Sequence, residues 1–132
     1  ATLAGASGGC QAECGAAAAM GAAALVTVRG GSADAVSSAV ALTFKSVLGL
    51  VCDPVGGLVE CPCVKRNAML VSLGTLGADL ALAGVKSLIP ADEVIDAMGQ
   101  IGRALPGTLR ETGLGGLAAT PTGKALAEST GM

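Results

Sequence analysis

Five cysteines carry most of the chemistry this 132-residue chain could do: Cys10, Cys14, Cys52, Cys61 and Cys63. Three of them fall in one nineteen-residue stretch, Leu50 to Ala68, LVCDPVGGLVECPCVKRNA, with two of the five prolines, a Gly-Gly pair and the adjacent Lys65-Arg66. Thiolates are nucleophiles and soft metal ligands, and turn-rich backbone lets them converge from irregular positions. The spacings are C-x3-C and C-x8-C-x-C. Structural zinc usually takes four ligands as paired short knuckles such as C-x2-C, so these spacings fit no common zinc pattern. Disulfides are not expected without secretion, and the odd count leaves one thiol unpaired. Spacing alone leaves two readings open. One is an iron–sulfur cluster, which takes thiolates from loops and helix ends far apart in sequence. The other is a set of free cysteines serving as small core residues.

Histidine is absent. Its absence removes Ser-His-Asp and Cys-His catalysis, His-ligated metal sites, and the usual general base near neutral pH. Of the ten carboxylates, Asp34, Asp92, Glu93 and Asp96 stand where helix N-termini and solvated faces put them, so structural roles are expected. GASGG at 5–9 and GLGG at 113–116 lack the preceding strand and the full spacing of phosphate-binding loops, and read as loop and packing segments.

The elements that must position these residues follow from composition. Apolar residues make up 52%, with 21 glycines, a single aromatic (Phe44) and no Trp or Tyr. A core of Ala, Leu, Val, Ile and Met favours closely approaching helices over a sandwich of strands, which wants β-branched and aromatic residues. Residues 1–9 form a lead-in without periodicity. A first helix is predicted over Gln11–Val28, ended by Arg29-Gly30-Gly31. Ser32 caps a second that runs to about Leu48, with Val36, Val40, Phe44, Val47 and Leu48 at helical spacing. Leu50–Pro62 is irregular, Pro54 and Pro62 holding Asp53 and Cys61 in extended geometry. A third helix is predicted from near Cys63 to Ala83; it is nearly apolar after Asn67 and so expected to be the most buried. A fourth follows Ile89, with Pro90 at its first position and Asp92 and Glu93 in the first turn. Residues 108–123 read as mostly irregular, and Thr120 or Thr122 caps a last short helix ending near Glu128. The expected fold class is all-α: one compact helical domain, with a cysteine-bearing loop between the second and third main helices.

Net charge is −2, and there is no basic run beyond Lys65-Arg66, which argues against nucleic acid as a partner. Mean hydropathy is +0.68. The longest stretch without a charge, Cys14 to Val28, would span roughly 22 Å as a helix, short of the ~30 Å hydrocarbon core. With no secretory leader at its start, the chain is expected to be soluble and cytoplasmic, with no membrane partner. High hydropathy with few charges also suggests that a partner chain, or the rest of a longer polypeptide, covers part of the surface. The opening ATLAGASGG fits either removal of an initiator Met or a fragment.

Four motifs go further. GGCQAECG at 8–15, SVLGLVCDPVGGLVECPCVKRNA at 46–68, IPADEVIDAMGQIG at 89–102 and LRETGLGGLAATPTGKAL at 109–126 closely resemble the C-terminal half of the catalytic domain of iron–sulfur-dependent L-serine dehydratases, the α chain in two-chain forms. The resemblance covers nearly the whole chain, in order. It implies that residues 1–132 are the C-terminal part of an all-helical catalytic domain with a [4Fe-4S] cluster held by three cysteines, one iron being left open. The implied reaction converts L-serine to pyruvate and ammonia, in amino-acid degradation and gluconeogenesis, without pyridoxal phosphate. The implied ligands are Cys10, Cys52 and Cys63. Cys14 is a neighbour, and Cys61 stands where relatives often carry an aliphatic residue. Arg66 and Asn67 are expected to contact substrate or cluster, because cations at a helix N-terminus run against the helix dipole. Thr120 and Thr122 are weaker candidates, helix capping explaining them nearly as well.

The resemblance also implies partners outside these residues: an upstream part of the catalytic domain with a Ser-Ser-His-Thr motif, a regulatory β domain or chain, and an oligomer. The catalytic acid–base group is therefore unassigned here and expected from the upstream part, and the 132 residues alone are expected to be inactive. Two other readings are carried: a related cluster-dependent L-cysteine desulfidase, and a cofactor-free structural domain whose thiols are simply buried.

Overall fold

A computed structural model describes residues 1–130. Among these there are helices and turns but no strand, as composition suggests. The lead-in contains one helical turn, α1 (Gly5–Gly8), which the small residues did not signal. The first main helix opens with a wide π-turn, Gln11–Gly15, and continues as α2 (Ala16–Val28). Its alanines favour helix and bring the backbone close to its neighbours. Gly30, at φ 76°, turns the chain, and the Gly31 N–H donates to the Val26 carbonyl at 2.8 Å.

The second main helix, α3 (Ala33–Lys45), starts at Ser32, whose hydroxyl accepts from the Ala35 N–H. It ends short of Leu48. Tight turns close from Ser46 to Thr43 and from Val47 to Phe44, and Gly49 reverses the chain at φ 85°. The third, α4 (Lys65–Leu82), follows a second π-turn, Glu60–Val64, and ends at Ala83 with Gly84 at φ 89°. In α5 (Ala91–Ala104), Pro90 is the cap rather than the first helical residue: its ψ of 153° is extended, and its carbonyl accepts from the Val94 N–H. Short 3-10 turns at Gly107–Leu109 and Gly116–Ala119 organise the Gly- and Thr-rich segment before α6 (Pro121–Ser129), which Thr120 caps.

Helix α2 is the centre of the bundle, packed between α3 and α4, while α5 covers α3. One core cluster joins Ala12, Ala16, Ala19, Ala41, Phe44, Val94 and Met98; a second joins Ala22, Val26, Ala39, Ala78 and Ala81. The expectation that the third helix is the most buried does not hold. Helix α4 buries Leu70, Gly74, Gly77, Ala78 and Ala81 but exposes Met69, Val71 and Leu76. It is apolar all round, and its smaller side faces inward because small residues permit close approach. A Cβ on Gly74 would stand 2.7 Å from the Ala18 carbonyl oxygen. Gln11–Val28 is long and apolar enough to cross a membrane by length and composition, yet its Ala16, Ala19, Ala22 and Val26 pack inside the bundle.

Candidate functional site

Cys10 sits at the head of the first π-turn, 2% exposed. Its neighbour Gln11 is a fully buried polar residue with every amide atom engaged. Its Nε2 donates to the Gly8 carbonyl at 2.9 Å and the Met98 carbonyl at 3.0 Å, and its Oε1 accepts from the Gly49 N–H at 2.9 Å. The Gln11 N–H donates to the Leu50 carbonyl at 3.0 Å. Gln11 thus bolts the Cys10 turn to α5 and to the loop that leads to Cys52. Sequence reading missed it, since a polar residue in an Ala-rich helix gives no sign of burial. The wide turn also brings the Cys10 and Cys14 sulfurs to 3.1 Å.

Cys52 is 5% exposed, on extended backbone. Its N–H donates to the Leu109 carbonyl at 2.9 Å, and its carbonyl accepts from the Glu111 N–H at 2.8 Å, forming a parallel bridge to Arg110. The conformation around Cys52 is therefore set by residues 109–111, more than fifty positions away in sequence. Cys61 is exposed and extended (φ −125°, ψ 115°), as Pro62 requires; Cys63, in the same π-turn, is half-buried. All five thiols are free.

Cys10, Cys52 and Cys63 come from three separate segments and influence one another electrostatically. Burial pushes the Cys52 thiol up to about 12, with further increments from the negative charge of Cys10, Glu111, Cys63 and Glu13. The Cys63 thiol is also raised, by burial first and then Cys10, against a lowering pull from Arg66. Cys14 is pushed up to about 12 by burial, then by its hydrogen bond with Cys10 and by the charges of Cys10, Glu13 and Cys63. Glu13 closes over the same spot: a Cβ on Gly5 would meet its Oε2 at 2.8 Å and the Cys52 sulfur at 3.2 Å.

Among the described residues, no three Cys, Asp or Glu side chains close on one point as the ligands of a single ion would. A cluster makes a different demand, since each thiolate binds its own iron and the sulfurs stand further apart. Cys52 and Cys63, whose burial and like-charged neighbours disfavour the thiolate, fit with Cys10 a polynuclear cationic group, which would neutralise the thiolates on binding.

Arg66, at the start of α4, is tied into this arrangement. Its Nη1 donates to the Val51 carbonyl at 2.9 Å, and its Nη2 to Asp53 Oδ1 at 3.0 Å. Burial works to lower its pKa, but the hydrogen bond to Asp53 and the negative charges of Asp53 and Cys10 outweigh that and raise it. Asp53, 3% exposed, also accepts from the Leu117 N–H at 2.8 Å through Oδ2. Gly116 must be glycine for this to happen, as its φ is 59° and a Cβ there would lie 2.5 Å from Asp53 Oδ2. Asp53 read in sequence only as a turn residue before Pro54. The structure makes it the joint between the Cys52 loop, α4 and the GLGG segment.

Asn67 diverges from Arg66. It is exposed and lines, with Glu13 and Cys14, one end of a groove of about 440 Å³ between α2 and α4. Thr120 is used locally, its Oγ1 accepting from the Gly123 N–H and donating to the Leu117 carbonyl, while Thr122 is exposed on α6. Arg110 carries a buried Nε without a protein partner beside Cys52.

The family model described as "Serine dehydratase alpha chain" matches residues 1–118. The chain is 61% identical over 126 residues to a probable L-serine dehydratase, alpha chain, of Bacillus subtilis (strain 168), covering 96% of this chain and 42% of that protein. It is 64% identical to a probable L-serine dehydratase, alpha chain, of Latilactobacillus sakei, covering 96% of this chain and 60% of that one. Against the L-serine dehydratase, alpha chain, of Peptoniphilus asaccharolyticus it is 58% identical, covering 94% and 42%. The chain thus spans roughly two- to three-fifths of the length of these relatives.

Proposed function

The chain belongs to the serine dehydratase alpha-chain family, and from that premise we propose that it is the cysteine-bearing part of an iron–sulfur L-serine dehydratase, an ammonia-lyase producing pyruvate and ammonia. The observation that carries the iron–sulfur reading is that hydrogen bonds tie together the three segments bearing Cys10, Cys52 and Cys63: Gln11 N–H to the Leu50 carbonyl, and Arg66 to the Val51 carbonyl and Asp53. These three cysteines would hold a [4Fe-4S] group. When bound, its iron without a protein thiolate supplies a Lewis acid for the departure of hydroxide, a poor leaving group, from the serine β-carbon.

The protein's own residues do the rest. Burial of Cys10 and Cys52 keeps water from their sulfurs. Arg66 offsets the negative charge that three thiolates would gather, and its bonds to Val51 and Asp53 hold the Cys52 loop against α4. Because those bonds occupy both terminal nitrogens, Arg66 serves as a charge-balancing and positioning residue, and Asn67, open at the end of the groove, is the better placed to meet a substrate carboxylate. Cys14 and Cys61 are neighbours rather than ligands. With no histidine in these residues, the group that moves the α-proton comes from the remainder of the alpha chain. A regulatory β domain or chain and an oligomer complete the enzyme. Free thiols and an open-site cluster suit a reducing, cytoplasmic setting.

The test is anaerobic preparation of the full-length protein, followed by iron and acid-labile sulfide analysis and a pyruvate assay. Cys52→Ala and Cys63→Ala are expected to lose cluster and activity together, and Cys61→Val to keep both. An iron-free protein that still dehydrates serine sinks the cluster reading. Pyruvate formed faster from L-cysteine than from L-serine reassigns the substrate.

A further inference from the structure

We propose that the groove between α2 and α4 is the seat of the part of the same polypeptide that lies outside these 132 residues, and that this part meets the cysteine site there. The inference rests on the reading above, in which the chain works as a portion of a longer alpha chain. It adds which face the remainder occupies.

The groove has the surface chemistry of an unfilled core. Its floor and walls include Ala17, Ala18, Leu25, Leu70, Val71 and Gly74. Val71 is 70% exposed, and a Cβ built on Gly21 meets no atom within 4 Å. Elsewhere on the same two helices Met20, Met69 and Leu76 are also exposed. Over its eighteen residues α4 carries charge only at Lys65, Arg66 and Asp79. A contiguous apolar surface of this kind is seldom left to solvent. Small residues along the groove, Ala17, Ala18, Gly21 and Gly74, admit the close approach of another element.

Two observations identify the occupant. The first is length: more than half of the Bacillus subtilis and Peptoniphilus relatives lies beyond the matched residues. The second is position: one end of the groove is formed by Glu13, Cys14 and Asn67, so whatever fills it reaches the thiols. This is where a histidine-free chain must receive the acid–base group its proposed reaction requires. A second copy fits less well, because a two-fold pair would set concave groove against concave groove and leave both unfilled.

The experiment uses the full-length protein with the photo-crosslinking residue p-benzoylphenylalanine in place of Val71 and, in a second variant, in place of Thr75 on the same wall. After irradiation, a product of monomer mass whose crosslinked peptide maps outside these 132 residues is expected at one position or both. A product of dimer mass, or no crosslink at either position, overturns the proposal. Iron and acid-labile sulfide are measured on the same samples. Cluster present without the in-chain crosslink rejects the seat alone, whereas a wild-type protein without cluster rejects the underlying reading.

Discussion

At the scale of residues, the Asp53–Arg66 pair decides how well the three thiols are held. Removing the charge of a paired, largely buried carboxylate strands its partner, a loss of about 3–5 kcal/mol in fully buried pairs. The Arg66 side chain keeps 16% exposure against 4% for Asp53, which moves the expected loss to the lower end, about 3 kcal/mol. Asp53→Asn in the full-length protein should lower the unfolding midpoint accordingly. Because Asp53 follows Cys52 directly, the variant should also hold less iron per chain and, after reduction with dithionite, give a broadened electron-paramagnetic signal from the proposed cluster. Unchanged iron content and spectrum would show that the pair only stabilises the fold. The cysteines could be read from sequence because their types and turn-rich surroundings are local facts. Arg66 was legible as a cation on the wrong end of a helix, but Asp53 was not legible as its support, nor Gln11 as the support of the Cys10 turn. Their partners are Leu117, Met98 and Gly49, and no local pattern announces a hydrogen bond across 38 to 87 positions.

At the scale of elements, five main helices were legible from alanine content, caps and proline–glycine punctuation, and their ends differ from expectation where tertiary contacts shorten or extend a turn. The face that α4 buries was not legible. A helix apolar on every side has no stripe to read, and the choice falls to steric fit, with Gly74 and Gly77 lying against Ala18 and Thr43. That fit is testable. Ala is intrinsically a better helix former than Gly by about 1 kcal/mol, so Gly74→Ala on a free surface would stabilise. Here the added methyl would press on the Ala18 backbone oxygen at 2.7 Å, which cannot rotate away. Net destabilisation of about 1–2 kcal/mol is expected, from overpacking costs of roughly 1–3 kcal/mol, and denaturant unfolding of the full-length protein measures it. A gain in stability would mean that α2 and α4 stand further apart than described.

At the scale of the whole molecule, the apolar core and the cysteine site are built from different residues. The two larger core clusters consist of alanines, valines, Phe44 and Met98, and only Cys14 touches a third, around Ala18, Val47 and Leu70. Cys10 and Cys52 are buried, but their surroundings are held by backbone hydrogen bonds from Gln11, Cys52 and Glu111 and by the Asp53–Arg66 pair. Neither support uses a sulfur. The chain therefore differs from zinc-finger domains, in which metal binding supplies the folding free energy and chelation unfolds the protein. If the proposed cluster is present, its oxidative loss from the full-length protein is expected to abolish serine turnover while the far-ultraviolet circular dichroism keeps its helical shape. Anaerobic reconstitution with iron, sulfide and thiol should then restore activity without a refolding step. The stripped protein should differ locally, at the exposed turn Glu60–Val64, where Cys63 would lose the proposed bond to iron and Cys61 already faces solvent. Hydrogen exchange separates the two possibilities. Faster exchange confined to residues 52–66 on cluster removal supports a preformed helical scaffold, and faster exchange through α2 and α3 would make the cluster part of the core.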